Sequence, residues 1–140
     1  NLLRLSQLTD NAARKEKAAK TFAAFSTRLK ESPDALPQLM AAVDFASSKP
    51  RQIIIAGQAN VADTHAMLRL VHERYIPNRF LLLADGSAGQ KLIASWLPFV
   101  EFMSQKDNKA TAYICEDYVC RRPTADLAVM AAILDGKETN

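Results

Sequence analysis

The sequence has few cysteines, no long apolar run and no strong charge of one sign. Its two cysteines are too few for a disulfide scaffold, which fits a reducing, cytoplasmic location. Its apolar runs are much shorter than the about 20 residues that span a bilayer, so we expect no membrane partner. A formal net charge of +3, from 18 basic and 15 acidic residues, predicts no nucleic-acid partner.

The first residue is Asn1 rather than methionine, and no basic-then-apolar signal sequence follows it. Leucines at positions 2, 3, 5 and 8 already follow a helical pattern. We therefore expect the 140 residues to begin inside a longer polypeptide. A composition that is 49% hydrophobic and 24% charged is typical of a folded domain or of two joined halves.

Residues 1–48 are predicted to be helical. Small and apolar residues recur there with the spacing of one buried helix face, and a run of charged residues occupies the remaining positions. Asp10 or Asn11 can cap the second helix, and either Pro33 or Pro37 can begin a later one. Polar residues and Pro50 then interrupt the helical period.

Residues 51–137 predict a small α/β domain. Three short runs alternate there with helical segments, an order typical of parallel strands joined by right-handed crossovers. The first two runs are continuously apolar, as expected when helices cover both faces of a sheet. We therefore predict a three-stranded parallel βαβαβ sheet with flanking helices, its strands being Gln52 to Ala56, Phe80 to Ala84 and Thr111 to Cys115.

Capping signals predict where three helices of this domain begin. Asn60 precedes the first, with Asp63 in its first turn. Ser87 and Gln90 have the spacing of a capping box at the second. Thr124 is the expected cap of the last.

Parallel strands would bring Gly57, Asp85 with Gly86, and Cys115 to one edge of the sheet, where open α/β sheets bind ligands. Gly57 favours either close approach of an anion to the backbone or a tight structural turn. Asp85 suits a ribose, a sugar hydroxyl or a metal ion, or a turn closed by its own side chain. This edge is the candidate ligand site.

Cys115 and Cys120 leave three interpretations open: ordinary buried residues, a reversible disulfide or metal ligands. The exposed positive charge expected at Arg121 and Arg122 would favour the thiolate of Cys120. Elsewhere the sequence indicates no metal site, because His65 and His72 lack a ligand at helical spacing. No catalytic residue can be named, since no nucleophile elbow is present.

Five motifs occur in the order and with the spacing found in one known protein family: SPDALPQLMAAVDF, RQIIIAG, YIPNRFLLLADG, LPF and TAYICEDYVC. Over about residues 32–127 they resemble the C-terminal end of the spermatogenesis-associated protein 20 family, whose bacterial members are thioredoxin-domain proteins. The resemblance implies a longer protein with a thioredoxin-like domain and an α/α barrel like those of N-acylglucosamine 2-epimerases and six-hairpin glycosidases. Residues 1–48 would be the last barrel helices, and 51–137 an α/β tail.

The resemblance also implies a set of motif positions, none of them an established catalyst: Ala56, Gly57, Pro77, Asn78, Asp85, Gly86, Tyr113, Cys115, Cys120, Pro123 and Asp126. The chain departs from the family in lacking the thioredoxin-like domain, so redox activity is not carried over. Arg121 and Arg122 also replace smaller or neutral residues.

Three functional hypotheses follow. The preferred one is an accessory C-terminal module linked to carbohydrate processing, without activity or a cofactor of its own. Its partner would be the remainder of its own chain, contacted through an apolar face formed by Leu2, Leu5, Leu8, Phe22 and Leu29. The alternatives are an enzyme domain that binds a sugar or nucleotide at the strand edge, and a thiol switch formed by Cys115 and Cys120.

Overall fold

The computed structural model describes residues 1–116 and 119–137, and the chain divides into two compact units. The first unit comprises residues 1–49 and the second residues 50–140. The first contains the helices α1 Leu2–Thr9, α2 Ala12–Ala24, α3 Ser26–Glu31 and α4 Pro37–Ser47. The second contains the helices α5 Ala62–His72, α6 Ala88–Ala94 and α7 Leu127–Leu134.

Local capping sets the helix boundaries of the first unit. Asn11 precedes α2, and its side-chain oxygen accepts a hydrogen bond from the Arg14 backbone N at 3.1 Å. Pro33 opens the 3₁₀ turn Pro33–Ala35, and Pro37 opens α4. Both prolines therefore begin an element, as the fixed proline φ angle favours.

Few side chains of the first unit are buried. Among residues 1–49, all of which the structure describes, Ser6, Ala18 and Phe45 are the buried ones. Leu2 is 37% exposed and Leu5 is 44% exposed. Of the predicted apolar face, Leu2 and Leu5 are thus exposed, and the other three residues are half-buried: Leu8, Phe22 and Leu29.

The second unit contains a four-stranded sheet in the order β2-β1-β3-β4. Its strands are β1 Arg51–Ala56, β2 Arg79–Ala84, β3 Thr111–Glu116 and β4 Val119–Cys120. β1 and β2 are parallel and are connected through α5. β3 is antiparallel to β1, and β4 is antiparallel to β3.

The predicted three-stranded parallel sheet is therefore wrong: the sheet is mixed and has a fourth, short strand. A tight turn before β3 explains the reversal. Asp107 and Asn108 have φ angles of 53° and 55°, and Lys109 N donates to Lys106 O at 2.9 Å. The chain consequently enters β3 beside the end of β1, with Thr111 opposite Ala56.

Both faces of β1 are covered, one by α5 and α7 and the other by the 3₁₀ turn Pro98–Phe102 and the residue after it, which explains its continuous apolar run. One face carries Ile53 and Ile55, which belong to a cluster with residues of α5, β3 and α7: Met67, Val71, Ala112, Ile114, Met130, Ile133 and Leu134. The other face carries Ile54 and Ala56, which pack with Ala84, Met103 and the partly buried Phe99. Because all three isoleucines of β1 are fully buried, the strand forms the centre of the second unit.

Two helices begin one or two residues later than the capping signals predicted. The residue before α5 is Val61 rather than Asn60. The cap of α7 is Asp126, whose side chain accepts from the backbone N atoms of the next turn, rather than Thr124. Thr124 instead pairs with Ala112 through two backbone hydrogen bonds at the edge of β3.

Candidate functional site

The strand edge predicted as a ligand site holds two of its three expected parts. Gly57 follows β1 and Asp85 follows β2 at the same end of the parallel pair, and Gly57 N donates to Ala84 O at 3.0 Å. Cys115 lies towards the other end of the sheet, opposite Gln52. The predicted meeting of Cys115 with Gly57 and Asp85 is wrong, because β3 runs antiparallel to its neighbour.

The backbone at Gly57 is closely covered by its neighbours. A Cβ atom at this position would lie 2.3 Å from Thr64 Oγ1 and 3.2 Å from Ala110 Cβ. Gly57 itself is buried, and Thr64 is fully buried in the first turns of α5. Close packing of α5 and the start of β3 therefore accounts for glycine here.

Asp63 organises the same edge, although the sequence indicated it only as a first-turn acid. Its Oδ1 accepts from Thr64 N, and its Oδ2 accepts from Ala110 N, each at 2.7 Å. The hydrogen bond from Ala110 is the main reason that the pKa of Asp63 is lowered. No local spacing could have predicted this pair, because the two residues are joined only by the fold.

Asp85 and Gly86 form a compact turn before α6. Asp85 Oδ1 accepts a hydrogen bond from Ser87 N at 2.9 Å. The pKa of Asp85 is lowered, mainly because the Ser87 hydroxyl also donates a hydrogen bond to the carboxylate. Gly86 has a φ angle of 79°, in the left-handed region that favours glycine. The Asp85 carboxylate is thus occupied by its own turn.

Ser87 and Gln90 complete this turn. Their side-chain hydrogen bonds are close to those of the predicted capping box. Ser87 Oγ accepts from Gly89 N at 3.1 Å, and Gln90 Oε1 accepts from Gly86 N at 2.7 Å. Gln90 is buried, and its Nε2 donates to Val100 O and Met103 O at 2.9 and 3.1 Å. One amide therefore connects the turn to the 3₁₀ turn Pro98–Phe102 and the residue after it.

An open groove of about 480 Å³ lies beside this turn. Its lining comes from the turn, α6 and the 3₁₀ turn that follows, and combines polar groups with the apolar parts of the same side chains: Gly86, Ser87, Gln90, Lys91, Ala94, Ser95 and Glu101. Asp85 Oδ1 and Gln90 Oε1 already accept hydrogen bonds from the turn, so a ligand that used these atoms would have to compete with it.

Cys115 and Cys120 form a disulfide between β3 and β4, with their Cα atoms 3.9 Å apart. They are directly opposite each other in the antiparallel register. Cys115 is 1% exposed, whereas Cys120 is an exposed residue of β4. The sulfur atoms are therefore joined at the border between the core and the surface.

Gln52 is the register partner of Cys115 on β1, and sequence analysis assigned it no role beyond its place in the strand. It is opposite Cys115 on the neighbouring strand and is 3% exposed. Its Oε1 atom has no hydrogen-bond partner among the described residues. The available sequence signal was an amide that directly precedes three isoleucines in the strand. Buried polar atoms are usually paired, so a glutamine in such a run marks a position that needs a partner.

His65 and His72 are both exposed on α5. Within residues 1–116 and 119–137, no group of three or more His, Cys, Asp or Glu side chains could hold a metal ion. The same residues contain no helix long and apolar enough to cross a membrane.

Three curated mammalian proteins match almost the whole chain. Human spermatogenesis-associated protein 20 is 35% identical over 134 residues, and the rat and mouse proteins of that name are 36% and 34% identical over the same length. Each match covers 96% of this chain and 17% of the mammalian protein. The chain is similar to a C-terminal region of spermatogenesis-associated protein 20. The resemblance indicated by the five motifs is thereby confirmed.

The spermatogenesis-associated protein 20 matches thus place 134 residues of the chain within much longer relatives, of which they span about a sixth. No family model matches the chain, and no solved structure matches it.

Proposed function

We propose that this chain is an accessory C-terminal module that packs, through its helical unit, against the remainder of a longer polypeptide. The observation that carries the proposal is the coverage of the relatives: 96% of this chain corresponds to 17% of each mammalian protein. In those relatives most of the polypeptide lies outside the matched region. On this proposal the rest of the polypeptide is the partner, and the module is joined to it covalently.

The low burial of residues 1–49 supports this proposal. With Ser6, Ala18 and Phe45 as its buried residues, the unit has little core of its own. Short helices gain most of their stability from tertiary packing, and burying one leucine side chain contributes about 1.5–3 kcal/mol. A partner surface over α1 and α2 would supply the missing burial.

The unit also contains a groove suited to such packing. It has a volume of about 530 Å³ and is lined mainly by apolar residues of α1, α2 and α4: Leu2, Leu3, Ala18, Phe22, Leu39, Ala41, Ala42 and Phe45, with Asn1, Arg4, Thr21 and Gln38. Helix-in-groove contacts use surfaces of this kind. We assign the groove to an apolar segment of the same polypeptide, because a covalent link raises its effective concentration to the millimolar range.

The finer form of the proposal follows the family resemblance. The partner segment would be a helix of an α/α barrel, α1 to α4 would complete that barrel, and the protein would also contain a thioredoxin-like domain and act in carbohydrate processing. The antiparallel, amphipathic character expected of barrel helices suits the open side of this unit. On this proposal the chain has no turnover of its own.

A substitution in the natural full-length polypeptide tests the packing. Leu5→Asp places a charge on the exposed side of α1, where Leu5 is 44% exposed in this chain. If the longer polypeptide covers Leu5, the variant loses about 1.5–3 kcal/mol of stability from lost burial alone. Leu92→Asp is the matched control, since Leu92 is 57% exposed on α6 in the second unit, and its effect should stay within about 0.5 kcal/mol.

Hydrogen exchange followed by mass spectrometry locates the contact. Leu5→Asp should raise amide exchange in segments outside the matched region as well as in α1, because the partner surface would lose its cover. Equal stability of the two variants, or faster exchange confined to α1, would show that nothing packs on this face.

A further inference from the structure

The Cys115–Cys120 disulfide is accessible from one side only. Cys120 lies on the two-residue edge strand β4 and is exposed, whereas Cys115 is 1% exposed on β3. In thiol–disulfide exchange a thiolate attacks one sulfur in line and displaces the other. Because Cys120 is the exposed residue of the pair, we take its Sγ as the atom that is attacked and Cys115 as the leaving group.

The exposed residues Arg121 and Arg122 follow Cys120 directly. Arg121 is held beside β3, since its backbone N donates to Ile114 O at 2.9 Å. Two positive charges next to the attacked sulfur favour the approach of an anionic thiolate. Chain position alone thus makes the Cys120 side the electrostatically favourable one.

Gln52 supplies a second, independent observation. It is opposite Cys115 across β1 and β3, so the two side chains lie on the same face with Cβ atoms about 4.5–5.5 Å apart. Its Oε1 is buried and lacks a donor among the described residues while the disulfide is closed. A disulfide sulfur carries no hydrogen to donate, whereas a reduced Cys115 thiol does.

We propose that Cys115 and Cys120 form a redox-active pair that exchanges with an external dithiol, and that Gln52 is a positioning residue for the reduced state. A thiolate of the dithiol attacks Cys120 Sγ, a mixed disulfide forms and the Cys115–Cys120 bond breaks. Cys115 leaves as a thiolate, takes a proton and donates its S–H to Gln52 Oε1. This inference does not depend on the packing of the helical unit.

The second thiol of the reductant then resolves the mixed disulfide. It attacks the reductant sulfur bound to Cys120, and Cys120 leaves as a thiolate that takes the second proton. The reductant becomes a disulfide, the protein pair becomes a dithiol, and two electrons and two protons have been transferred. The reverse reaction with a disulfide partner closes the pair again.

Peptide mass spectrometry of the natural full-length protein tests the exchange. Trypsin cleavage after Lys109 and Arg121 releases residues 110–121, which contain both cysteines of this chain on one peptide. After equilibration in dithiothreitol buffers of graded redox ratio and acid quenching, the peptide should convert between a closed form and a doubly alkylated form. A peptide that stays doubly alkylated in the most oxidising buffer, or closed in the most reducing one, overturns the proposal.

Gln52→Leu tests the positioning role of the amide. Loss of the acceptor for the Cys115 thiol should shift the exchange equilibrium towards the disulfide by about three- to tenfold, which is about 14–30 mV. Gln58→Leu makes the same change at an exposed residue of the loop after β1 and should leave the equilibrium unchanged. If Gln52 had only a structural role, Gln52→Leu would lower the melting temperature and leave the reduction potential of the cysteine pair unchanged.

Single-cysteine variants identify the attacked sulfur. In Cys115→Ser the remaining Cys120 should form a mixed disulfide with oxidised glutathione at least about ten times faster than Cys115 does in Cys120→Ser. Equal rates, or faster reaction of Cys115, would contradict attack at Cys120. Should either variant fold poorly, the wild-type redox titration still decides whether the pair is redox-active.

Discussion

Asp63 and Ala110 are joined by a hydrogen bond of 2.7 Å from the Ala110 backbone N to Asp63 Oδ2. The contact connects the first turn of α5 to the residue before β3, across 47 positions of sequence. Since Ala110 is 1% exposed, its N–H would otherwise be a buried donor without this partner. One carboxylate thus holds the start of α5 against the residue that leads into β3.

The lowered pKa of Asp63 predicts a loss of stability in acid. The Ala110 hydrogen bond favours the charged form, so the folded-state pKa lies below the value of about 3.9 for a free aspartate. The stabilisation is complete above about pH 4 and is lost as the pH falls through the folded-state pKa. Asp63→Ala should show a flatter decrease in unfolding free energy between about pH 4 and pH 2, measured by denaturant titration.

At neutral pH, Asp63→Ala should lower the unfolding free energy by about 1.5–3 kcal/mol, the value of hydrogen bonds to a charged group. Asp63→Asn is the matched variant, because it keeps one oxygen acceptor but removes the charge. It should cost less than the alanine variant. Equal stability of wild type and Asp63→Ala would contradict this role for the carboxylate.

Gly57→Ala should destabilise the second unit by about 1–3 kcal/mol through overpacking. The new Cβ would lie 2.3 Å from Thr64 Oγ1, which is inside any normal contact distance. Adding Thr64→Ala removes that oxygen, so the double variant should be more stable than the sum of the two single effects predicts. Thermal unfolding of all four proteins measures the coupling, and strictly additive effects would exclude this clash as the cause.

Gln90→Leu should lower stability by at least about 2 kcal/mol, because it leaves the Gly86 N–H and the carbonyls of Val100 and Met103 without their amide partner. Gln58→Leu, at an exposed loop position, is the control and should change little. Gln90→Glu should regain stability as the pH falls, since a protonated carboxyl can donate to a carbonyl whereas a carboxylate cannot. Chemical denaturation at pH 7 and pH 4 compares the three variants.

Sugars, sugar phosphates and nucleotides are expected not to raise the melting temperature through the strand edge. Thr64 and Ala110 occupy the space above Gly57, and the Asp85 carboxylate is engaged by Ser87. A ligand present at 100 times its dissociation constant would add about 2.7 kcal/mol of stability. Such a shift, abolished by Asp85→Asn, would favour the ligand-binding alternative.

Element positions were largely predictable from this sequence, because apolar runs and capping residues are local signals. The strand runs at Gln52, Phe80 and Thr111 all correspond to observed strands. Strand direction was not predictable in the same way. It depends on the tight turn at Asp107 and Asn108, whose positive φ angles reverse the chain before β3.

The candidate site shows the same division between local and long-range information. The turn formed by Asp85, Gly86, Ser87 and Gln90 could be read from spacing, because its hydrogen bonds span at most four residues. The Asp63–Ala110 contact depends on how α5 packs beside the start of β3, and the Gln52–Cys115 pairing depends on the register of β1 and β3. These contacts can be predicted only once the strand order is known.

The central position of β1 has a consequence for biosynthesis. Its register pairs it with Arg79–Ala84 on one side and Thr111–Glu116 on the other, and both partners are translated later. At about 5–20 residues per second, the ribosome takes several seconds to deliver them. During that interval a nascent segment rich in isoleucine has unsatisfied backbone on both flanks, which makes it a natural target for chaperone protection.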